Sequence, residues 1–232
     1  TDQFNNPVDS VLISWTVLDG GGSVSPTSST TNANGIATTS WTLGTAMTPS
    51  DSIQLVRATG VALPRTFTAF TVPGPVSAEK TTVTAAPGTI TASSGSSTTT
   101  ITVTVRDQFN NVIKGKTVTL TASGTANSLT QPATPTDANG VTTGALSSTT
   151  AEPKTVSALA NAVPINQTAS VTVAAAPVSV SLSTITATSP IVASNGSSAS
   201  TITVTARDEF SNPIPGVPVS LAASGTGNTL TH

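Results

Sequence analysis

Thr100-Ile101-Thr102-Val103-Thr104-Val105-Arg106-Asp107-Gln108-Phe109-Asn110-Asn111-Val112-Ile113 is the stretch from which the fold can be read. Ile101, Val103 and Val105 alternate with threonines. Side chains on a strand point alternately to opposite faces, so this run offers one apolar face and one hydroxyl face. It then stops at Asp107 and Asn110-Asn111, residue types that close turns by bonding their own backbone. The same grammar continues downstream. Val118, Leu120 and Ala122 alternate with Thr117, Thr119 and Thr121, and Val156, Ala158 and Ala160 form a later inward set. Val171 and Val173 form a last one, and Lys114-Gly115, Asn139-Gly140 and Glu152-Pro153 punctuate the runs. No stretch keeps a helical period over ten residues, so the chain reads as all-β.

The turn in that stretch recurs. Asp107-Gln108-Phe109-Asn110-Asn111 is preceded by Asp2-Gln3-Phe4-Asn5-Asn6 and followed by Asp208-Glu209-Phe210-Ser211-Asn212, at offsets of 105 and 101 residues. Asn32-Ala33-Asn34-Gly35-Ile36 matches Asp137-Ala138-Asn139-Gly140-Val141, and Pro75-Val76-Ser77 matches Pro177-Val178-Ser179. A period of this size is too long for a solenoid unit and fits a self-sufficient β-sandwich of about 100 residues. Pro73-Gly74-Pro75 and Ala174-Ala175-Ala176-Pro177 read as short linkers. The expected organisation is tandem immunoglobulin-like β-sandwiches. Residues 1–73 are a unit lacking its first strands, 75–175 a complete unit, and 177–232 a unit lacking its last strands. Two arrangements fit: a window from a longer tandem array, or a subunit lending its C-terminal strands to a neighbour. Residues 207–232 repeat residues 1–26, so donated strands would be duplicates, which favours the window.

Composition excludes whole classes of function. Charged residues are 8% of the chain, the net charge is -2, and there is no Cys. No basic excess exists to neutralise phosphates, so no nucleic-acid partner is expected. Disulfide and cysteine-metal frameworks are impossible. The single histidine is His232, so no base stands ready to activate a nucleophile, and no acid pair recurs at a spacing suited to acid/base work. No apolar run reaches the ~18–20 residues of a membrane span. Thr and Ser together supply 78 of the 232 residues, which alternation assigns to outward strand faces.

The Asp-x-Phe-x-Asn turn, together with Thr31-Asn32-Ala33-Asn34-Gly35-Ile36-Ala37-Thr38-Thr39-Ser40-Trp41-Thr42-Leu43-Gly44, resembles the bacterial group 1 immunoglobulin-like domain. That domain is the repeat of intimin- and invasin-like surface proteins. The middle repeat departs from the second motif, with Leu146-Ser147-Ser148 in place of Trp-x-Leu-Gly. The resemblance implies a β-sandwich used in tandem as an extracellular stalk. No catalytic, cofactor or metal residues come with it, and none are assigned.

Several residues still invite a functional reading. Asp2, Asp107 and Asp208 with their Asn neighbours suggest calcium, but calcium takes six to eight oxygens and each turn offers one firm carboxylate, with Glu209 added only in the third. Backbone-bonded turns are the simpler expectation. Arg106-Asp107 and Arg207-Asp208 suggest turn ion pairs, which contribute little. Trp15 and Trp41 align with Leu120 and Leu146 and are expected in the core rather than as sugar platforms. Phe109 is the only aromatic residue of the middle repeat, so its core must be thin, whereas the first repeat adds Phe67 and Phe70. Asn166 and Asn195 sit in glycosylation sequons. The Ser/Thr clusters at 93–100 and 147–150 are expected as solvated loops, and Lys114 and Lys116 as edge protection. A structural repeat of a cell-surface protein, partnered by neighbouring Ig-like domains, is therefore the leading expectation. A host receptor or surface glycan would be met by a part outside this sequence. A filament or virion subunit, or a glycan- or protein-binding module, is the alternative.

Overall fold

A computed structural model describes residues 1–47, 53–60, 63–190, 192–194 and 196–231. Among them every regular element is a strand. The first repeat contributes β1 (Leu12–Asp19), β2 (Gly22–Ser25), β3 (Ser28–Thr30), β4 (Ser40–Leu43), β5 (Ile53–Thr59) and β6 (Arg65–Phe70). The middle repeat contributes β7 (Thr82–Ala86), β8 (Thr89–Thr91), β9 (Thr99–Thr104), β10 (Val118–Ala122), β11 (Asn127–Thr130), β12 (Val141–Ser148), β13 (Pro153–Ala160), β14 (Val163–Pro164) and β15 (Ala169–Ala174). The last contributes β16 (Thr184–Ala187) and β17 (Ile202–Thr205).

The middle repeat is a two-sheet sandwich. One sheet runs β11-β12-β9-β7 and the other β10-β13-β15-β8, with β14 added beside β13. The chain leaves the first sheet after β7 and enters the second as β8, which pairs parallel to β15, whereas β15 with β13 and β7 with β9 pair antiparallel. The period-2 pattern decides which atoms meet. Ile101, Val103 and Val105 of the quoted run are fully buried, as are Leu146, Val156 and Val171. Val118, Leu120, Ala158, Ala160 and Val173 complete the inner faces, with Ala122 half-buried at the margin. These side chains are small, so the core is thin, yet burying each Val or Leu still contributes about 1.5–3 kcal/mol.

Lys154 occupies an inward position on β13, in step with Val156 and Ala158, and is buried. Its stem fills the space of an apolar residue, and its Nζ donates to the Thr125 carbonyl and to Glu152 Oε1. Among the described residues this is the ion pair of the chain.

The flanking repeats are open by comparison. In the first, β3-β1-β5-β6 form one sheet and β2-β4 a second, and an apolar cleft of about 360 Å³ lined by Val8, Val11, Ile13, Trp15, Ala58 and Phe67 lies against the inner face. Trp15 donates to Ser29 Oγ and tilts against Phe67 at 6.5 Å. Both tryptophans are half-buried, whereas their counterparts Leu120 and Leu146 are buried. The last repeat pairs β16 with β17 and leaves Ile185 exposed. Residues 219–223, which correspond to β10, are not a strand. In the middle repeat β10 is held by β13, whereas among the described residues 219–223 pair with no strand.

Candidate functional site

The three Asp-x-Phe-x-Asn turns share one internal geometry. In the middle repeat Asp107 Oδ1 accepts from the Phe109 and Asn111 N–H groups, and Asp107 Oδ2 accepts from Asn111 Nδ2. Asp208 does the same with Phe210 and Asn212, and Asp2 with Phe4 and Asn6. The fourth residue of each turn lies in the left-handed region: Asn5 at φ 68°, Asn110 at 72° and Ser211 at 69°. Asn tolerates that conformation better than most residues, which explains its use at two of the three sites.

Two of these turns reach into the preceding repeat. Asn111 Nδ2 donates to the Thr45 carbonyl at 2.8 Å, while Asn111 Oδ1 accepts from the Met47 N–H at 2.8 Å. Asp107 Oδ2 accepts from the N–H of Gly74, in the linker, at 2.9 Å. The next joint repeats this bond for bond. Asn212 Nδ2 donates to the Thr149 carbonyl, Asn212 Oδ1 accepts from the Ala151 N–H, and Asp208 Oδ2 accepts from the Ala176 N–H. A side-chain amide has the donor and acceptor layout of a peptide group, so each Asn pairs with residues i and i+2 of the loop as a short strand would. Asp107, Asn111, Asp208 and Asn212 are all buried.

The linker is tied from its other end too. Ser77 N–H donates to the Arg106 carbonyl, and the Thr81 hydroxyl both accepts from Arg106 N–H and donates to its carbonyl. Ser179, Ser183 and Arg207 reproduce these bonds. Phe210 packs against the core of the middle sandwich, and Phe109 is half exposed at the first joint.

Burial alone would raise the pKa of Asp107 and Asp208. The hydrogen bonds from the Asn side chain, the linker N–H and two turn N–H groups outweigh it and hold both carboxyls below the ordinary Asp value. Four N–H groups account for the lone pairs of each carboxylate, so the joint needs no cation to satisfy it. Among the described residues no three His, Cys, Asp or Glu cluster at metal-binding distance.

The remaining candidates are scattered. The arginines do not pair with their neighbouring aspartates, as the sequence suggested. Arg106 Nη1 donates to the Asn110 carbonyl and Arg207 Nη1 to the Ser211 carbonyl, because the aspartates face inward to the joint while the arginines bridge the turn outside. Ser147 and Ser148 are buried rather than solvated, for they end β12 and Ser148 Oγ bonds the Thr125 and Thr150 backbone. Ser93 is buried as well and folds its loop by accepting from Gly95 and Ser97. Asn166 is exposed and Lys114 is exposed with Lys116 half-buried. Asn195 and His232 lie outside the described residues. Sequence reasoning read the turns correctly as self-bonded but missed their reach across repeats. The available signal was Asn at the fifth position, kept in all three copies although the turn itself is closed by the Asp.

A sandwich of a four-stranded and a five-stranded sheet, with its first strand divided between them and a parallel pairing at one edge, is an immunoglobulin-like domain. Residues 80–174 match the family model described as Bacterial Ig-like domain (group 1), and that segment is a domain of this family. No curated protein matches the sequence. Among solved structures the chain is similar to invasin, a bacterial integrin-binding protein, at 22% identity and TM-score 0.57, covering 94% of this chain and 43% of that one. It is similar to the Escherichia coli adhesin FdeC at 22% identity and TM-score 0.60, covering 93% and 68%. The Yersinia pseudotuberculosis protein InvD matches at 20% identity and TM-score 0.56, covering 92% and 64%. The chain thus spans less than half the length of the invasin structure. At these identities the likeness is one of fold.

Proposed function

We propose that this chain is a spacer segment of a long extracellular, adhesin-like surface protein of tandem Ig-like units. It is divided as 1–73, 75–175 and 177–232, and it holds or displays something it does not itself contain. The observation that carries this reading is the joint made twice with the same three bonds from side chain to main chain. A spacer must fix each unit on the last, and a bond set repeated at each junction does so. The likeness in fold to adhesins supports a cell-surface location. The scattered acids and the near-absence of histidine support a role other than catalysis. Its partners are then the neighbouring Ig-like units, and any host receptor or glycan is met elsewhere in the protein.

Small-angle scattering of the whole chain is the test. A spacer gives an elongated particle whose measured profile fits one rigid shape. A profile that needs an ensemble of bent shapes sinks the reading. A second reading, a filament subunit exchanging strands, draws on the apolar cleft of the first repeat and the exposed Ile185 of the β16-β17 hairpin. It requires the chain to run as an oligomer in light scattering across the micromolar range. A monomer of 22.9 kDa excludes it.

A further inference from the structure

Three turns carry the joint chemistry, and two of them have a partner within the chain. The third, at Asp2–Asn6, has the same internal bonds as the other two. Among the described residues neither Asp2 nor Asn6 bonds anything outside its own turn, and Phe4 is 76% exposed where Phe210 packs on a neighbouring core. The groups left open are those used elsewhere. They are one acceptor position on Asp2 Oδ2, the second N–H of Asn6 Nδ2, and Asn6 Oδ1.

We infer that Asp2, Phe4 and Asn6 form a docking socket for another Ig-like unit of this same repeat, placed on its N-terminal side. This rests on the spacer reading and extends it by naming the partner and the atoms. The chemistry required is fixed by the two filled joints: a linker N–H for Asp2 Oδ2, and a loop carbonyl and the N–H two residues on for Asn6. A second copy of this chain cannot offer those groups while its own joints are intact, because the 45–47 loop holds Asn111 and the 149–151 loop holds Asn212. The occupant is therefore a further unit with a free loop.

The test extends the chain with such a unit. A second copy of residues 75–207 is joined ahead of Asp2, so that the Arg-Asp step of the motif is kept and the first repeat gains the strands that the middle repeat has. The chain has no Cys, so paired spin labels can be placed cleanly, at Thr119→Cys of the added copy and at Thr68→Cys. Pulsed electron spin measurements should give a narrow distance distribution. Asn6→Ala should broaden it at least twofold, and Gln3→Ala, in the same turn but outside the bond set, should leave it narrow. A broad distribution in the unsubstituted extended chain, or a narrow one that survives Asn6→Ala, overturns the inference. Asn212→Ala with labels across its own joint separates the two readings. If that joint also stays narrow, the clasp fails everywhere and the spacer reading loses its support. If it broadens while the Asn6 joint does not, only the Asp2 socket is wrong.

Discussion

Asn111 shows how much one amide can do when it faces main chain. Its two cross-repeat bonds, with the bond it gives Asp107, make it the centre of the first joint. Net contributions of about 0.5–1.5 kcal/mol per hydrogen bond predict that Asn111→Ala lowers unfolding stability of the middle sandwich by about 1–3 kcal/mol in a urea titration. The partnering aspartates set a pH limit. Their folded pKa values lie below the unfolded value of 3.8, so the stability they add is full at neutral pH. It falls as the pH drops through 3.8 and is gone below the folded values. Spin-label distributions across either joint should therefore stay narrow at pH 6 and broaden as the pH is taken below about 3.8. Broadening that begins near pH 6 would point to other groups.

At the scale of elements, the turns are as specific as the strands. Gly140 and Gly115 both have positive φ, 71° and 77°, but a Cβ at Gly140 would meet the Val105 carbonyl at 2.7 Å and one at Gly115 would meet nothing within 4 Å. Gly115→Ala should cost about 1–2 kcal/mol from the backbone alone, and Gly140→Ala clearly more, as thermal melts of the two would show. The loops that face the clasps obey a different rule. Thr45 and Met47 in one joint, and Thr149 and Ala151 in the other, are bonded through main-chain atoms only. Replacing Ala46 by Thr together with Met47 by Ala, which copies the second loop into the first, should leave the first joint as narrow as before.

That difference also explains what was legible beforehand. Strand positions such as Ile101, Val103 and Val105 were readable because burial follows a side-chain period of two. The Asp turn was readable because Asx side chains bond locally. The joint was not, since its loop side is written in backbone and leaves no side-chain pattern. Lys154 shares the inward parity of Val156, yet nothing in the alternation says that a Lys there is buried. Its Nζ is satisfied by a carbonyl brought in from Thr125, far along the chain.

At the scale of the whole molecule, low charge and hydrogen-bonded joints define the response to solution conditions. No joint bond pairs a cation with an anion, so salt has little to screen. Scattering profiles at 0.1 M and 1 M sodium chloride should superpose, and calcium or chelator should not move the melting temperature, because the carboxylate oxygens at both internal joints are already occupied by N–H groups. A calcium-dependent shift would contradict that geometry. The clasp has one more consequence, for heredity. A clasp whose hydrogen bonds take only peptide groups on one side asks little of its neighbour's sequence beyond an apolar surface for the Phe of the turn. A gene encoding such units can gain or lose a copy by unequal recombination, and the new junction will be competent at once, without a compensating substitution. The reach of the protein becomes a matter of copy number.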